Sequence, residues 1–67
     1  METGSFVIKN MASQEDANKV LKAIENVWGY TRGDVNLSTS KAVFTYDERM
    51  ASVHDFEQAI KDTGFEI

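Results

Sequence analysis

Two amphipathic helical patterns, each introduced by a serine, alternate with short β-favouring runs along the whole chain and so restrict the folds available to it. In the first pattern, apolar residues recur at spacings of three and four, at Ala17, Val20, Leu21, Ile24 and Val27. In the second, they recur at Val53, Phe56, Ala59 and Ile60. Ser13 and Ser52 suit helix N-caps, and an aspartate three residues after each resembles a capping box. Each pattern is followed by a glycine, Gly29 or Gly64, which ends a helix at little cost.

The segments outside the helical patterns predict four strands. Alternating or β-branched residues mark a first strand at Ser5 to Lys9, a second around Val35 and Leu37, a third from Ala42 to Tyr46 and a short last one from Phe65 to Ile67. The polar turn between the second and third strands predicts a β-hairpin. The order is therefore β-α-β-β-α-β.

This order predicts an α+β fold, a ferredoxin-like sandwich in which a four-stranded antiparallel sheet carries two helices on one face. A chain of 67 residues makes one domain, so residues 1–67 are interpreted as a single unit with a small core. The fold alone does not define a function, because unrelated activities share it.

Composition excludes several classes of function. The net charge of -4 repels phosphate backbones and anionic headgroups, which argues against nucleic acid and membrane insertion. With no cysteine, the chain has no disulfide, thiolate metal site or thiol nucleophile. No signal peptide or membrane span is visible, and a cytoplasmic location is expected by default. No nucleophile with a base and no phosphate-binding glycine loop is recognisable, so an enzyme is not expected.

The residues resemble the heavy-metal-associated domains, which occur as small copper chaperones and in copper-transporting P-type ATPases. Ile8 and Met11 are similar to the "VxGM" that ends the family's first strand. The stretches "AVFTYD" at 42–47 and "AIKDTGFE" at 59–66 are similar to its third strand and to the end of its second helix.

The family's metal motif is MxCxxC, whose two cysteines hold a soft ion, usually Cu(I). In this chain the motif positions are Met11, Ser13 and Asp16, so serine and aspartate stand where the cysteines would be. Cu(I) prefers thiolate and thioether ligands. The resemblance therefore implies a domain whose motif is degenerate, and no metal or other cofactor is expected.

Two interpretations of the motif positions stay open at this point. Ser13 and Asp16 can cap the first helix, or together with Glu15 they can weakly hold a harder cation such as Zn(II) or Mg(II). Met11 is expected in the core, as the resemblance also implies. His54 is expected on the surface at the opposite end of the sheet from the motif.

Three further positions carry expectations. Asn10 replaces a family glycine, and asparagine tolerates positive φ, so the turn is expected to be kept. Gly33 stands where the family usually has a core valine. Tyr30 is bulkier than the valine that the family has at its position, and it is expected to fill the gap. Trp28 either anchors a partner or shields the base of the sheet, and packing is favoured.

The preferred hypothesis is a non-catalytic protein-interaction or regulatory module that has lost its CxxC site. Its candidate interaction loop comprises Ala12, Ser13, Gln14, Glu15, Asp16, Gly64 and Phe65. The acidic charge favours a protein partner with a basic face, such as a related ferredoxin-like or ATPase domain. The alternative is a metal-handling, copper chaperone-like protein that binds Cu(I) or Zn(II) weakly through ligands other than cysteine.

Overall fold

In the computed structural model, which describes all 67 residues, three strands form an antiparallel sheet and two helices cover one face of it. The elements are β1 (Glu2–Val7), α1 (Gln14–Glu25), β2 (Tyr30–Asn36), β3 (Lys41–Tyr46) and α2 (Val53–Asp62). The strand order in the sheet is β1-β3-β2, so β3 is central. Neither helix is long and apolar enough to cross a bilayer.

The expected fourth strand does not form, and the prediction of a four-stranded sheet is wrong. The segment after Gly64 meets the chain two residues beyond the end of β1 through one backbone hydrogen bond, from the N–H of Lys9 to the carbonyl of Glu66 at 2.8 Å. An antiparallel pair of this kind normally exchanges two such bonds. Here the N–H of Glu66 donates instead to Oδ1 of Asn10, at 2.8 Å. The side chain thus takes the place of the second ladder bond, and regular pairing ends there.

The first strand lies further toward the N-terminus than the sequence predicts. Its register with β3 runs from Glu2 opposite Tyr46 to Val7 opposite Lys41. Pairing with the central strand therefore decides its limits, which a local pattern does not reveal. The predicted alternation is nonetheless confirmed, because Ile8 is buried and Val7 is exposed.

Stacked aromatic rings occupy the centre of the core. The ring of Phe44 on β3 lies 4.1 Å from that of Phe56 on α2, with an angle of 15° between the planes. Tyr46 packs against Phe56 with a centroid distance of 5.2 Å. Aliphatic residues of the helices complete the core, among them Val20, Ile24 and Ile60. Contact between such rings adds to the free energy of burying them.

Tyr30 fills the space beside Gly33, as predicted. A Cβ on Gly33 would lie 3.1 Å from Cε1 of Tyr30 and 2.7 Å from the carbonyl oxygen of Val43. A register irregularity between Tyr30 and Arg32 accompanies this arrangement. The tyrosine ring therefore occupies volume that a larger side chain at position 33 would need.

The antiparallel sheet separates two ends of the molecule. The end of β1 leads into the loop before α1, whereas Tyr46 at the end of β3 pairs with Glu2 at the start of β1. His54, in the first turn of α2, consequently lies at the end opposite the motif positions, as expected. The molecule extends 33 Å along its longest axis.

Candidate functional site

The candidate site is the loop that joins β1 to α1, together with the segment after α2. Met11 anchors the loop from below, since its side chain is 7% exposed and belongs to the core cluster. The core position predicted for Met11 is confirmed. Ala12 and Ser13, which follow it, are exposed.

Ser13 is the N-cap of α1, as predicted. Its backbone is extended, with φ -141° and ψ 165°, and its Oγ accepts a hydrogen bond from the backbone N–H of Asp16 at 3.2 Å. The carbonyl of Ser13 accepts the first helical bond, from Ala17, at 3.0 Å. The hydroxyl at the first cysteine position therefore satisfies a backbone donor that the helix leaves free.

Asp16, at the second cysteine position, also binds the loop backbone. Its Oδ2 accepts a hydrogen bond from the N–H of Ala12 at 3.0 Å. At the start of α2, the equivalent Asp55 accepts instead from the N–H of the cap residue Ser52, at 2.9 Å. In α1 the aspartate therefore accepts from the residue before the N-cap, whereas a capping box requires it to accept from the N-cap itself. The carboxylate closes the loop and faces the positive end of the helix.

Asn10 links the loop to the C-terminal segment. Besides accepting from Glu66, it donates from Nδ2 to the carbonyl of Gly64 at 3.3 Å. The turn at Asn10 is kept, as expected, but without the positive φ that asparagine tolerates, because Ser40 alone among the non-glycine residues has a positive φ. Asn10 contributes through its side chain, which binds both sides of Phe65.

Six residues of the candidate interaction loop reach the surface, and one does not. The exposed or partly exposed members are Ala12, Ser13, Gln14, Glu15, Asp16 and Gly64. Phe65 is 9% exposed and packs in the core beneath them. The polar side chains of this surface offer only oxygen and amide groups. Nowhere in the molecule do three or more histidine, aspartate and glutamate side chains gather in an arrangement that could hold a metal ion.

His54 and Trp28 lie away from this loop. His54 is exposed, and its Nδ1 lies 3.2 Å from Oε1 of Glu57, one turn along α2. Trp28 is 76% exposed, so the interpretation that it packs against the sheet is wrong. The glycine that follows Trp28 was the available signal, since a tight turn places its central residues outside.

An ion pair that the sequence analysis missed orders the loop before α2. The guanidinium of Arg49 donates to both carboxylate oxygens of Asp47, from Nε at 3.0 Å and from the second terminal nitrogen at 2.8 Å. The backbone N–H of Arg49 also donates to Oδ1 of Asp47, at 2.9 Å. These hydrogen bonds and the positive charge lower the pKa of Asp47 to about 2.

Solved structures superpose on nearly the whole chain. A CopZ metallochaperone gives a TM-score of 0.92 at 26% identity, with 97% of each chain covered. Oxidized MerP from Ralstonia metallidurans CH34 gives 0.91 at 31% identity, covering 96% of this chain and 89% of that one. A copper binding domain from HMA7, a P-type ATPase, gives 0.94 at 27% identity, covering 98% and 89%. The fold is therefore that of the ferredoxin-like domains found in such chaperones and ATPases.

The particular family follows from the sequence comparison. Residues 5–66 match the model of the heavy-metal-associated domain, and the chain belongs to this family. It is 28% identical over 60 residues to the copper chaperone CopZ of Staphylococcus aureus (strain JH9), covering 90% of this chain and 88% of that one. The resemblance inferred from the residues is confirmed.

Proposed function

We propose that this chain is a non-catalytic heavy-metal-associated domain that acts as a protein-interaction module and has no functional CxxC site. One observation carries the proposal. Both oxygen-bearing side chains at the cysteine positions, Ser13 and Asp16, are already engaged by backbone N–H groups of their own loop. The positions therefore serve the structure of the loop.

The donor atoms support the same conclusion. A serine hydroxyl and a carboxylate are hard ligands, whereas Cu(I) selects thiolate and thioether sulfur. Met11, the one sulfur-bearing residue of the motif, is buried in the core. The residues of the loop therefore do not fit Cu(I).

The exposed loop is the surface proposed for docking. Glu15 is exposed beside the partly exposed Asp16, and the chain as a whole carries a charge of -4. An acidic surface favours a partner with a basic face, because complementary charge speeds and orients the encounter. The chain is similar both to a copper chaperone and to a domain of a P-type ATPase, and this supports a related ferredoxin-like domain as the partner. The cytoplasmic location stays a prediction.

The metal part of the proposal is tested by titrating the isotope-labelled domain with Cu(I) under reducing conditions, and then with Zn(II). The backbone amides of residues 10–16 and 63–65 are followed by NMR. We expect no saturable shifts confined to these two segments. Such shifts would show instead that the loop handles metal through unexpected ligands, as in the alternative hypothesis.

A variant with both cysteines restored, Ser13→Cys with Asp16→Cys, is the matched control. The rest of the loop and core is unchanged in it, so we expect it to bind Cu(I) in the same titration. A folded double variant that ignores Cu(I) would show that the loop geometry, and not only its ligands, has diverged from the family.

The docking part has its own test, in which the labelled domain is titrated with a basic and with an acidic heavy-metal-associated domain. We expect the amides of residues 12–16 and Gly64 to shift with the basic domain, and the effect to weaken in Glu15→Lys and at high salt. Shifts produced only by the acidic domain would contradict the proposed partner chemistry.

A further inference from the structure

A groove at the end of the molecule opposite the loop contains its most exposed aromatic residue. The groove has a volume of about 450 Å³ and lies between the turn 27–30 and the loop 47–51. Trp28 and Met50 line it and are 76% and 53% exposed. Met1, 69% exposed, lines it as well. Exposed apolar residues scattered singly need no explanation, but three large ones lining one groove suggest a contact site.

A tight turn fixes the backbone that carries the exposed Trp28. The carbonyl of Val27 accepts a hydrogen bond from the N–H of Tyr30 at 3.1 Å, so Trp28 and Gly29 are the central residues of the turn. Gly29 has a φ of 97°, which favours glycine. Val27, by contrast, is partly buried against the core.

The second wall packs tightly against this turn. A Cβ on Gly29 would lie 2.9 Å from Cβ of Met50, and the carbonyl of Gly29 accepts from the N–H of Asp47 at 2.9 Å. The ion pair between Asp47 and Arg49 then holds the loop that carries Met50. The backbone of both walls is therefore held in place before any partner arrives, which reduces the entropy lost on binding.

Only one charge at the groove is unpaired. The charged groups that line the groove are the carboxylates of Glu25 and Asp47 and the N-terminal ammonium of Met1. Arg49 neutralises Asp47 and Glu48 neutralises the ammonium, whereas Glu25 forms no ion pair and is exposed. Tyr30, which also lines the groove, has a pKa raised above its ordinary value by burial and then by the negative charges of Glu25 and Asp34.

We propose that this groove binds an extended segment of a partner protein in which a lysine or arginine stands next to an apolar side chain. The cation would lie between the face of Trp28 and the carboxylate of Glu25, where both attract it. The apolar neighbour would cover Met50. The groove is separate from the loop proposed above for docking, and the inference does not rest on that function.

The test uses the single tryptophan of the chain, whose fluorescence and indole N–H signal report on this groove alone. A random peptide library is selected on the full chain and counter-selected on Trp28→Ala. We expect the enriched peptides to carry a lysine or arginine beside an apolar residue. They should change Trp28 fluorescence saturably and shift the amides of residues 28–31 and 50, but not those of residues 12–16.

Two variants separate the contributions to binding. Trp28→Ala should weaken the selected peptides by about tenfold or more, the effect expected of a central aromatic anchor. Glu25→Gln should weaken them by about threefold, and raising the salt concentration should weaken binding to the unaltered chain in the same direction. Both positions are exposed, so the amide spectrum of the core serves to show that each variant folds.

Several outcomes would overturn the proposal. They are a selection that returns no peptide distinguishing the chain from Trp28→Ala, enrichment of acidic peptides, and binding that Glu25→Gln strengthens. A dimer that depends on Trp28, detected by sedimentation, would assign the groove to a second copy of the chain. If the unaltered chain binds no such peptide, but the amides of residues 12–16 still shift with a basic heavy-metal-associated domain, the groove proposal is rejected and the proposed function is not.

Discussion

The side chain of Asn10 accepts a hydrogen bond from the backbone N–H of Glu66 at 2.8 Å. This bond replaces the backbone hydrogen bond that a fourth strand would have made with the first. Asn10 also donates to the carbonyl of Gly64, so its side chain binds the segment on both sides of the buried Phe65. The C-terminal segment therefore depends on Asn10 more than on sheet pairing.

Replacing Asn10 by alanine should loosen this segment. Two hydrogen bonds are removed, each worth about 0.5–1.5 kcal/mol, so the free energy of unfolding should fall by about 1–3 kcal/mol in a urea titration. The amide of Glu66 should exchange faster with solvent. Asn10→Asp, which keeps the acceptor and removes the donor, should protect that amide better than Asn10→Ala does. Unchanged exchange at Glu66 in the alanine variant would contradict this role.

Replacing Ser13 by alanine should destabilise the start of α1. The Oγ that caps the helix is removed, which costs about 1 kcal/mol in unfolding experiments. Glu15→Gln is the matched control, because Glu15 lies in the same turn and makes no hydrogen bond with the loop backbone. We expect it to change stability far less. Equal effects of the two changes would indicate that charge near the helix end, and not the cap, stabilises this turn.

The ion pair of Asp47 predicts a dependence of stability on pH. Its pKa is lowered from an ordinary value of 3.8 to about 2, so the folded state favours the charged carboxylate. This contribution is fully present above about pH 4 and is lost as the pH falls toward 2. In Arg49→Ala the pKa of Asp47, followed by NMR, should rise back toward its ordinary value, and stability should depend less on pH over this window. A pKa that stays near 2 in that variant would assign the shift to another cause.

A larger residue at position 33 should strain the sheet. A Cβ there would lie 2.7 Å from the carbonyl oxygen of Val43, so we expect Gly33→Ala to cost about 1–3 kcal/mol of unfolding free energy. Adding Tyr30→Val should recover only part of this loss, because it removes the ring and leaves the carbonyl contact. Full recovery in the double variant would show that the tyrosine ring alone excludes a side chain at position 33.

The sequence predicts best those features that neighbouring residues determine. Ser13 and Ser52 begin the helices, and glycines follow their ends, because capping and positive φ are local requirements. The loss of the metal motif is equally local, since it depends only on which residues stand at positions 13 and 16.

Features that depend on contacts between distant residues were not predictable in the same way. The fourth strand is absent because the side chain of Asn10 competes for the N–H of Glu66, 56 residues away. The groove beside Trp28 depends on the contact between the turn at Gly29 and Met50, 21 residues further along the chain, which a helix pattern does not reveal. The pair of Asp47 and Arg49 lies within three residues, but its geometry depends on how the loop packs.

The hydrogen bonds that Ser13 and Asp16 make with their own loop have a consequence for regulation. Under the proposed function, in which the loop takes up no metal, its shape is the same at low and at high copper concentration. Recognition through this surface would then be constitutive, and control would have to come from the abundance of the domain or of its partner.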